Sequence, residues 1–169
     1  MVQWKKRLFA VGLLSLTAVT TIGYNLVDAK GVDKQDPNHY KPKAKNVIVF
    51  VGDGMGAAHR EAIRLATVGL KDDLEMNKMP YSGLVHTSST SAVTDSAAAA
   101  TAMASGVKTY NGAVGVDENQ KPVTTVMELA KKAGKSTGLV TTSQITDATP
   151  AAFAAHVNDR SKQSDIAKQ

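Results

Sequence analysis

The chain has 169 residues, of which 43% are hydrophobic, 21% are charged and 5% are aromatic. This length and composition are typical of a globular protein with about one domain. The sequence contains no cysteine, which excludes a disulfide scaffold and a thiolate metal site. Any bound metal must therefore be held by oxygen or imidazole ligands.

The N-terminus has the features of a secretory signal peptide at residues 1–29. Three cationic residues at 5–7 precede an uncharged stretch at 8–27, and small residues stand before a possible cleavage point after Ala29. The alternative is an uncleaved anchor, because about twenty uncharged residues could just span a bilayer. We expect cleavage, since hydroxyl and amide side chains dilute the apolar stretch. In both cases the protein is expected to be secreted, to an extracellular, cell-surface or periplasmic location.

Residues 30–45 are predicted to form a flexible arm. The segment contains five lysines, together with Gly31, Pro37 and Pro42. It cannot bury enough apolar surface to become ordered by itself. Loss of the leader would remove three cations and one carboxylate and lower the formal net charge from +5 to +3. We therefore expect no nucleic-acid binding.

From residue 46 onward, strand and helix patterns alternate. Short apolar runs rich in β-branched residues predict buried strands at 46–51, 83–87 and 137–142. Apolar periodicity and capping signals predict helices at 57–68, 95–105 and 124–133, and a short helix within 149–157. The alternation predicts an α/β sandwich with a mainly parallel sheet. In such sheets the functional residues gather after the carboxyl ends of the strands.

The turn after the first predicted strand, residues 52–57 (GDGMGA), allows three interpretations. It satisfies the G-x-G-x-x-A pattern of dinucleotide-binding proteins. However, Asp53 would place a carboxylate against the pyrophosphate that such a turn binds with N–H groups. A carboxylate between glycines also suits a cation, because glycine lets other groups approach closely. The third possibility is a turn aspartate that only caps the next helix.

A second candidate site is the alanine-rich segment 93–102, which contains Ser96. Its composition favours a closely packed helix with Thr94 or Asp95 as the N-cap. Ser96 would then lie in the first turn, where unpaired backbone N–H groups and the helix dipole favour an anion. Neutral serine is a weak nucleophile and needs a base or a metal. Activation by a metal at Asp53 is the simplest hypothesis.

These residues resemble the signature of the alkaline phosphatases. The similarity begins with residues 93–101 (VTDSAAAAT) and continues through 106–112 (GVKTYNG). It extends from 46 to about 160 and implies the three-layer α/β sandwich of that family, with a mainly parallel central sheet. Residues 46–169 would be the N-terminal part of the catalytic domain, which would be incomplete at its C-terminus.

The resemblance also implies roles for single residues in catalysis. Ser96 would be the nucleophile and form a phosphoserine. Arg160 would grip the phosphate, with Asp95 as the partner that orients it. A planar guanidinium can bind two phosphate oxygens at once, which an ammonium group cannot do.

The metal sites implied by the family are two zinc sites and one magnesium site. Asp53 would bridge one zinc and the magnesium, Ser96 would be a zinc ligand, and Asp147 and Thr149 would belong to the magnesium site. His156 has no metal role in this correspondence and is expected to be structural. The other ligands come from later parts of family members, beyond Gln169. We therefore expect the 169-residue polypeptide alone to be inactive.

The implied function is hydrolysis of small phosphate monoesters, with release of inorganic phosphate, by a protein that forms a homodimer at full length. Two alternatives stay open. One is another metal-dependent hydrolase of the same superfamily, such as a sulfatase-like or phosphodiester-cleaving enzyme. The other is a nucleotide-binding module that uses the turn at 52–57 without hydrolysis.

Overall fold

A computed structural model describes residues 44–169, and the chain divides into two units, Met1–Val49 and Phe50–Gln169. The predicted signal peptide at 1–29 and nearly all of the predicted arm at 30–45 lie outside the described residues. The helices described below all belong to the second unit. Within residues 44–169, no helix is long and apolar enough to cross a membrane.

The described residues form five α-helices and one short 3-10 helix. They are α1 at Ala57–Thr67, the 3-10 helix at Glu75–Lys78, α2 at Ser96–Ser105, α3 at Val126–Lys132, α4 at Ala148–Ala151 and α5 at Gln163–Lys168. The helices predicted at 57–68, 95–105 and 124–133 are confirmed to within two residues at each end. The short helix predicted within 149–157 begins one residue earlier and is shorter than that range. The 3-10 helix and α5 were not predicted.

Local chemistry sets both ends of α2 and the start of α3. Asp95 is the N-cap of α2, and the carboxylate accepts a hydrogen bond from the backbone N–H of Ala98 at 2.9 Å. The helix ends before Gly106, whose φ of +75° is the left-handed conformation that glycine adopts easily. Helix α3 begins with a reciprocal capping box between Thr125 and Glu128. Such signals lie within a few residues, which explains why the sequence reveals them.

The three predicted strands are absent from the described residues, so the structure does not confirm this part of the prediction. The β-structure within 44–169 consists of two isolated antiparallel bridges, Val114 with Val157 and Val116 with Pro122. A strand requires hydrogen bonds from a neighbouring strand. No backbone hydrogen bond of that kind reaches 83–87 or 137–142 within the described part of the chain. Most of their apolar side chains are exposed accordingly, and Leu84 and Val140 are fully accessible to solvent.

The buried core of the second unit consists mainly of alanine and valine. Helices α2 and α4 pack against each other through fully or nearly fully buried alanines, and the bridge at Val114 and Val157 closes the same cluster. The cluster comprises Ala97, Ala100, Val114, Ala148, Ala151, Ala152, Ala155, Val157 and Ile166. Because alanine side chains are small, the two helix backbones come close together. This packing fixes where the first turns of α2 and α4 lie.

One hydroxyl group is buried inside this core with both of its hydrogen-bonding functions used. Thr101 is completely buried in α2. Its Oγ1 donates to the carbonyl of Ala113 at 3.2 Å and accepts from the N–H of Gly115 at 3.0 Å. A buried polar group is costly unless it is paired. Thr101 therefore attaches the segment around residues 113–115 to the helix that begins with Ser96.

Candidate functional site

Ser96 is the first residue of α2, and its side chain points to a carboxylate from a distant part of the chain. Its Oγ donates a hydrogen bond to Oδ1 of Asp53 at 3.2 Å, across 43 positions of sequence. Ser96 is half-buried, and the next two residues of the helix are fully buried. The nucleophile predicted from the sequence is therefore held at the edge of the alanine core.

Asp53 lies in the glycine-rich turn that precedes α1. The N–H of Met55 donates to the carbonyl of Gly52 at 3.1 Å, and Gly54 has a φ of +67°, so the turn depends on a residue without a side chain at that position. The other carboxylate oxygen of Asp53, Oδ2, accepts a hydrogen bond from Oγ1 of Thr149 at 2.7 Å. Asp53 therefore connects α2 to α4 through two hydroxyl groups.

Thr149 stands in the first turn of α4, directly after the buried Ala148. Its hydroxyl contacts Asp53, so the structure brings together two residues that the family resemblance implies as metal ligands. Asp147 is the N-cap of the same helix, but its carboxylate does not share the contact with Asp53. Its Oδ2 accepts a hydrogen bond from the backbone N–H of Gln144 at 3.3 Å. Among the described contacts, the structure joins Asp53, Ser96 and Thr149 and leaves Asp147 on the neighbouring turn.

Arg160 and Asp95 form the second part of the candidate site. Nη1 of Arg160 donates to Oδ2 of Asp95 at 3.4 Å, and the two side chains are 41% and 26% exposed. This contact uses one of the N–H donors that a guanidinium carries. The pair predicted from the sequence is thus in contact, and the partly exposed guanidinium lies beside the residue that precedes Ser96.

The sequence interpretation missed the residues that hold this pair in place. The N–H of Gly112 donates to Oδ2 of Asp95 at 3.0 Å, and the carbonyl of Gly112 accepts the backbone N–H of Arg160 at 2.8 Å. Asn111 also contacts the backbone around Asp95. The available signal was the Asn-Gly pair, which is typical of a turn. Nothing local in that pair indicates which distant segment the turn contacts.

A second polar network lies behind the site and supports α3. Glu128 accepts from the N–H of Thr125 at 2.8 Å through Oε2, and its Oε1 contacts Nε2 of His156 at 3.1 Å. The Thr125 hydrogen bond, followed by the His156 contacts, lowers the pKa of Glu128 below its usual value. Nδ1 of His156 lies 2.6 Å from the carbonyl oxygen of Gly115. None of these His156 contacts involves the Asp53 cluster.

Tyr110 fixes the segment that leads to Arg160. Its hydroxyl donates to the carbonyl of Asn158 at 2.9 Å. Burial, followed by the nearby charge of Asp159, raises the pKa of this hydroxyl above its usual value. Tyr110 is therefore a neutral hydrogen-bond donor at physiological pH and ties residues 110 and 158 together close to the candidate phosphate-binding arginine.

The oxygen atoms of Asp53, Ser96 and Thr149 form a donor set of one carboxylate and two hydroxyl groups. Hard oxygen donors of this kind suit magnesium, which also keeps several waters. Zinc sites use three or four nitrogen, sulfur or carboxylate ligands. Within residues 44–169, no group of three His, Cys, Asp or Glu side chains is placed to hold a metal. The described donor set therefore has the chemistry that suits magnesium.

Comparison with known proteins shows which family this chain resembles. The family model described as alkaline phosphatase matches residues 44–169. Alkaline phosphatase 3 of Bacillus subtilis is 40% identical over 178 residues, which cover 99% of this chain and 37% of that protein. The repressible alkaline phosphatase of Saccharomyces cerevisiae is 48% identical over 130 residues, which cover 74% of this chain and 23% of the yeast protein.

Solved structures give the same result. The cold-active alkaline phosphatase of a psychrophilic Shewanella species matches with a TM-score of 0.63 and 42% identity, over 69% of this chain and 31% of that one. The enzyme of the Antarctic bacterium TAB5 matches with a TM-score of 0.62 and 38% identity. The chain thus spans between 23% and 37% of the length of these relatives, and its fold is alkaline phosphatase-like. From the match over residues 44–169, the chain belongs to the alkaline phosphatase family.

Proposed function

We propose that this protein hydrolyses phosphate monoesters through a phosphoserine formed on Ser96. The observation that carries the proposal is the contact of Ser96 Oγ with Asp53 at the start of α2, beside the Arg160–Asp95 pair. This geometry supports the proposal, because a hydroxyl group, a carboxylate and a guanidinium lie close together at the start of α2. Family membership supports this function over a nucleotide-binding module. The Asp53 carboxylate also supports it, because it binds the hydroxyl groups of Ser96 and Thr149 in the turn that would have to hold a pyrophosphate.

Each side chain has a defined task in this proposal. Asp53 Oδ1 accepts the hydrogen bond of Ser96 Oγ and so orients the oxygen that attacks phosphorus. The bond from Ser96 Oγ to phosphorus forms while the ester bond from phosphorus to the leaving oxygen breaks; Ser96 Oγ releases its proton to solvent, and the leaving oxygen takes a proton from solvent. Water then cleaves the phosphoserine and releases inorganic phosphate. Arg160 stabilises the charge on the phosphoryl oxygens in both steps.

We propose that Asp53, Ser96 and Thr149 hold divalent metal, with Asp147 joining the magnesium site. Two structures of TAB5 variants, in which one histidine is replaced by Asp or Glu, are described as having magnesium bound. Magnesium and zinc at such a site would stabilise the negative charge on the attacking oxygen and on the transferred phosphoryl group. Among the described residues, Asp53 and Ser96 are the side chains that would bind a zinc ion.

Several broader features of the family belong to the same proposal. We propose that the full-length protein is a secreted homodimer that acts on small phosphate monoesters and does not bind nucleic acid. The three-layer sandwich is proposed as well, because residues 83–87 and 137–142 have the apolar, β-branched composition of buried strands. The 169-residue polypeptide alone is expected to hydrolyse p-nitrophenyl phosphate negligibly, and robust zinc-dependent turnover by it would contradict this.

The test of the nucleophile is covalent labelling of the natural full-length protein with radioactive inorganic phosphate at acidic pH. We expect one labelled peptide, which contains Ser96, and a loss of both label and turnover in Ser96→Ala. The matched control is Ser82→Ala, because Ser82 is exposed and lies outside the site. Label that persists in Ser96→Ala at the level of the unaltered protein would exclude Ser96 as the nucleophile.

A further inference from the structure

Asn111 holds the backbone that leads into Ser96 at two points. Its side-chain Oδ1 accepts the backbone N–H of Asp95 at 3.2 Å, and its Nδ2 donates to the carbonyl of Val93 at 2.9 Å. A side-chain amide offers an acceptor and two donors in one plane. One rigid group therefore binds both ends of the tripeptide 93–95, from a position 16 to 18 residues further along the chain.

The tripeptide needs such support because it lies just outside α2. The N–H of Asp95 precedes the helix and has no carbonyl partner within it. The intervening residue, Thr94, contacts the carbonyl of Thr87 through its hydroxyl at 3.1 Å, and residue 87 lies in a segment without regular structure. The Asn111 amide is thus the link from the tripeptide to the loop that also binds Asp95 and Arg160 through Gly112.

We propose that Asn111 is a positioning residue for the nucleophile. It sets the orientation of the peptide between Asp95 and Ser96, and through that peptide the direction of the Ser96 side chain toward Asp53. This inference rests on the proposed function, since it assumes that Ser96 is the attacking group. Asn111 does not contact the Arg160 guanidinium in the structure. Its loss should therefore change the rate of the chemical step more than the binding of substrate.

The two halves of the Asn111 contact can be separated by substitution. Asn111→Ala removes both hydrogen bonds. Asn111→Asp keeps an oxygen that can accept from Asp95 but places a carboxylate beside the carbonyl of Val93, so the second bond is lost. The matched control is Asn119→Ala. Asn119 is an exposed asparagine in the turn at 117–121, and its backbone N–H, rather than its side chain, makes the turn hydrogen bond to Asp117.

The experiment measures kcat and KM for p-nitrophenyl phosphate, and backbone amide hydrogen exchange, in the natural full-length protein. We expect kcat to fall about tenfold in both Asn111 variants, the effect of losing one or two exposed hydrogen bonds, with KM unchanged within about twofold. Exchange at the Asp95 amide should accelerate about tenfold in Asn111→Ala, while amides 100–105 of α2 keep their protection. Asn119→Ala should leave all of these quantities unchanged.

Two results would overturn the proposal. One is an Asn111→Ala protein with the kcat of the unaltered protein. The other is a protein in which KM rises along with the fall in kcat and all of α2 loses protection, because that pattern indicates a general loss of stability. If the unaltered protein shows neither turnover nor Ser96 labelling, the proposed function fails. The exchange rate of the Asp95 amide then still decides whether Asn111 holds this backbone.

Discussion

Two regions of the second unit differ sharply in how their apolar residues are used. In the packed region, formed by α2, α4 and the bridge between Val114 and Val157, alanine and valine side chains are buried. In the open region, formed by α1, the turn before it and the segments 83–87 and 137–142, the helix has no buried residue and most apolar side chains are exposed. The candidate site lies where the two regions meet.

This contrast shows which parts of the site are fixed by packing. Ser96 and Thr149 stand at the starts of helices that belong to the packed region, so their positions follow from the core. Asp53 belongs to the turn before α1, in the open region, and hydroxyl hydrogen bonds connect it to the other two. The position of the Asp53 carboxylate is therefore set by polar contacts, whereas the positions of the Ser96 and Thr149 hydroxyl groups are set by apolar burial of their helices.

The largest effect is expected from Asp53→Asn. The change keeps the size of the side chain but removes the charge that a divalent cation requires, so activity of the full-length protein should fall at least about 100-fold. Stability should change by less than about 0.5 kcal/mol, because Asp53 is exposed. Isothermal titration calorimetry with magnesium should show weaker binding to Asp53→Asn than to the unaltered protein. Asp72→Asn, at another exposed aspartate, is the control, and equal activity of the two variants would contradict the role of Asp53.

The next largest effect is expected when the alanine core is overfilled. Ala100→Leu adds volume at a completely buried position of the packed region and should destabilise the protein by about 2–3 kcal/mol. The same change at exposed Ala62 in α1 should cost less than about 0.5 kcal/mol. Urea unfolding measures both values. If the two substitutions cost the same, the distinction between the packed and open regions does not hold.

A somewhat smaller effect is expected from the buried hydroxyl. Thr101→Val conserves the shape but leaves the carbonyl of Ala113 and the N–H of Gly115 without this partner, at a cost of about 2 kcal/mol. Thr67→Val is the matched control, because the Thr67 hydroxyl bonds a carbonyl within its own exposed helix. A thermal unfolding midpoint that falls in Thr67→Val but not in Thr101→Val would refute this account of the core.

The smallest effect concerns pH and the capping box of α3. The folded-state pKa of Glu128 is lowered, so its ionised form stabilises the fold above the usual pKa of 4.5, and this contribution is lost as the pH falls through the lowered value. Glu128→Gln keeps a side chain that can cap the helix, but glutamine does not titrate in this pH range. Denaturant unfolding between pH 7 and pH 3 should therefore show a shallower loss of stability in Glu128→Gln. Identical pH profiles would show that Glu128 does not contribute.

The sequence predicted the helices well because their signals are local. Asp95 caps the start of α2 with its side chain, and Gly106 ends the helix because glycine adopts the left-handed conformation easily. The strands were a different case, since apolar runs such as 83–87 indicate burial but not the neighbouring strand that supplies hydrogen bonds. That information is non-local, and the described residues contain no such neighbour for these runs.

The site shows the same division. The family signature identified Ser96, Asp53 and Thr149, and the structure brings them into contact. The sequence did not reveal the contacts of Asn111, because an Asn-Gly pair predicts a turn whatever that turn contacts. Its partners, Val93 and Asp95, are separated from it by a whole helix. Contacts of this kind follow from tertiary packing and cannot be read from spacing.

The alanine contact between α2 and α4 has a consequence for conformational entropy. Alanine has no side-chain rotamers to lose on folding, so burying it carries almost no cost in side-chain entropy. The separation of the two helices is then set by backbone atoms and methyl groups that cannot adopt other conformations. The distance between the hydroxyl-bearing first turns is thus fixed by a contact without internal freedom, and a leucine-rich interface of equal area could not define it as narrowly.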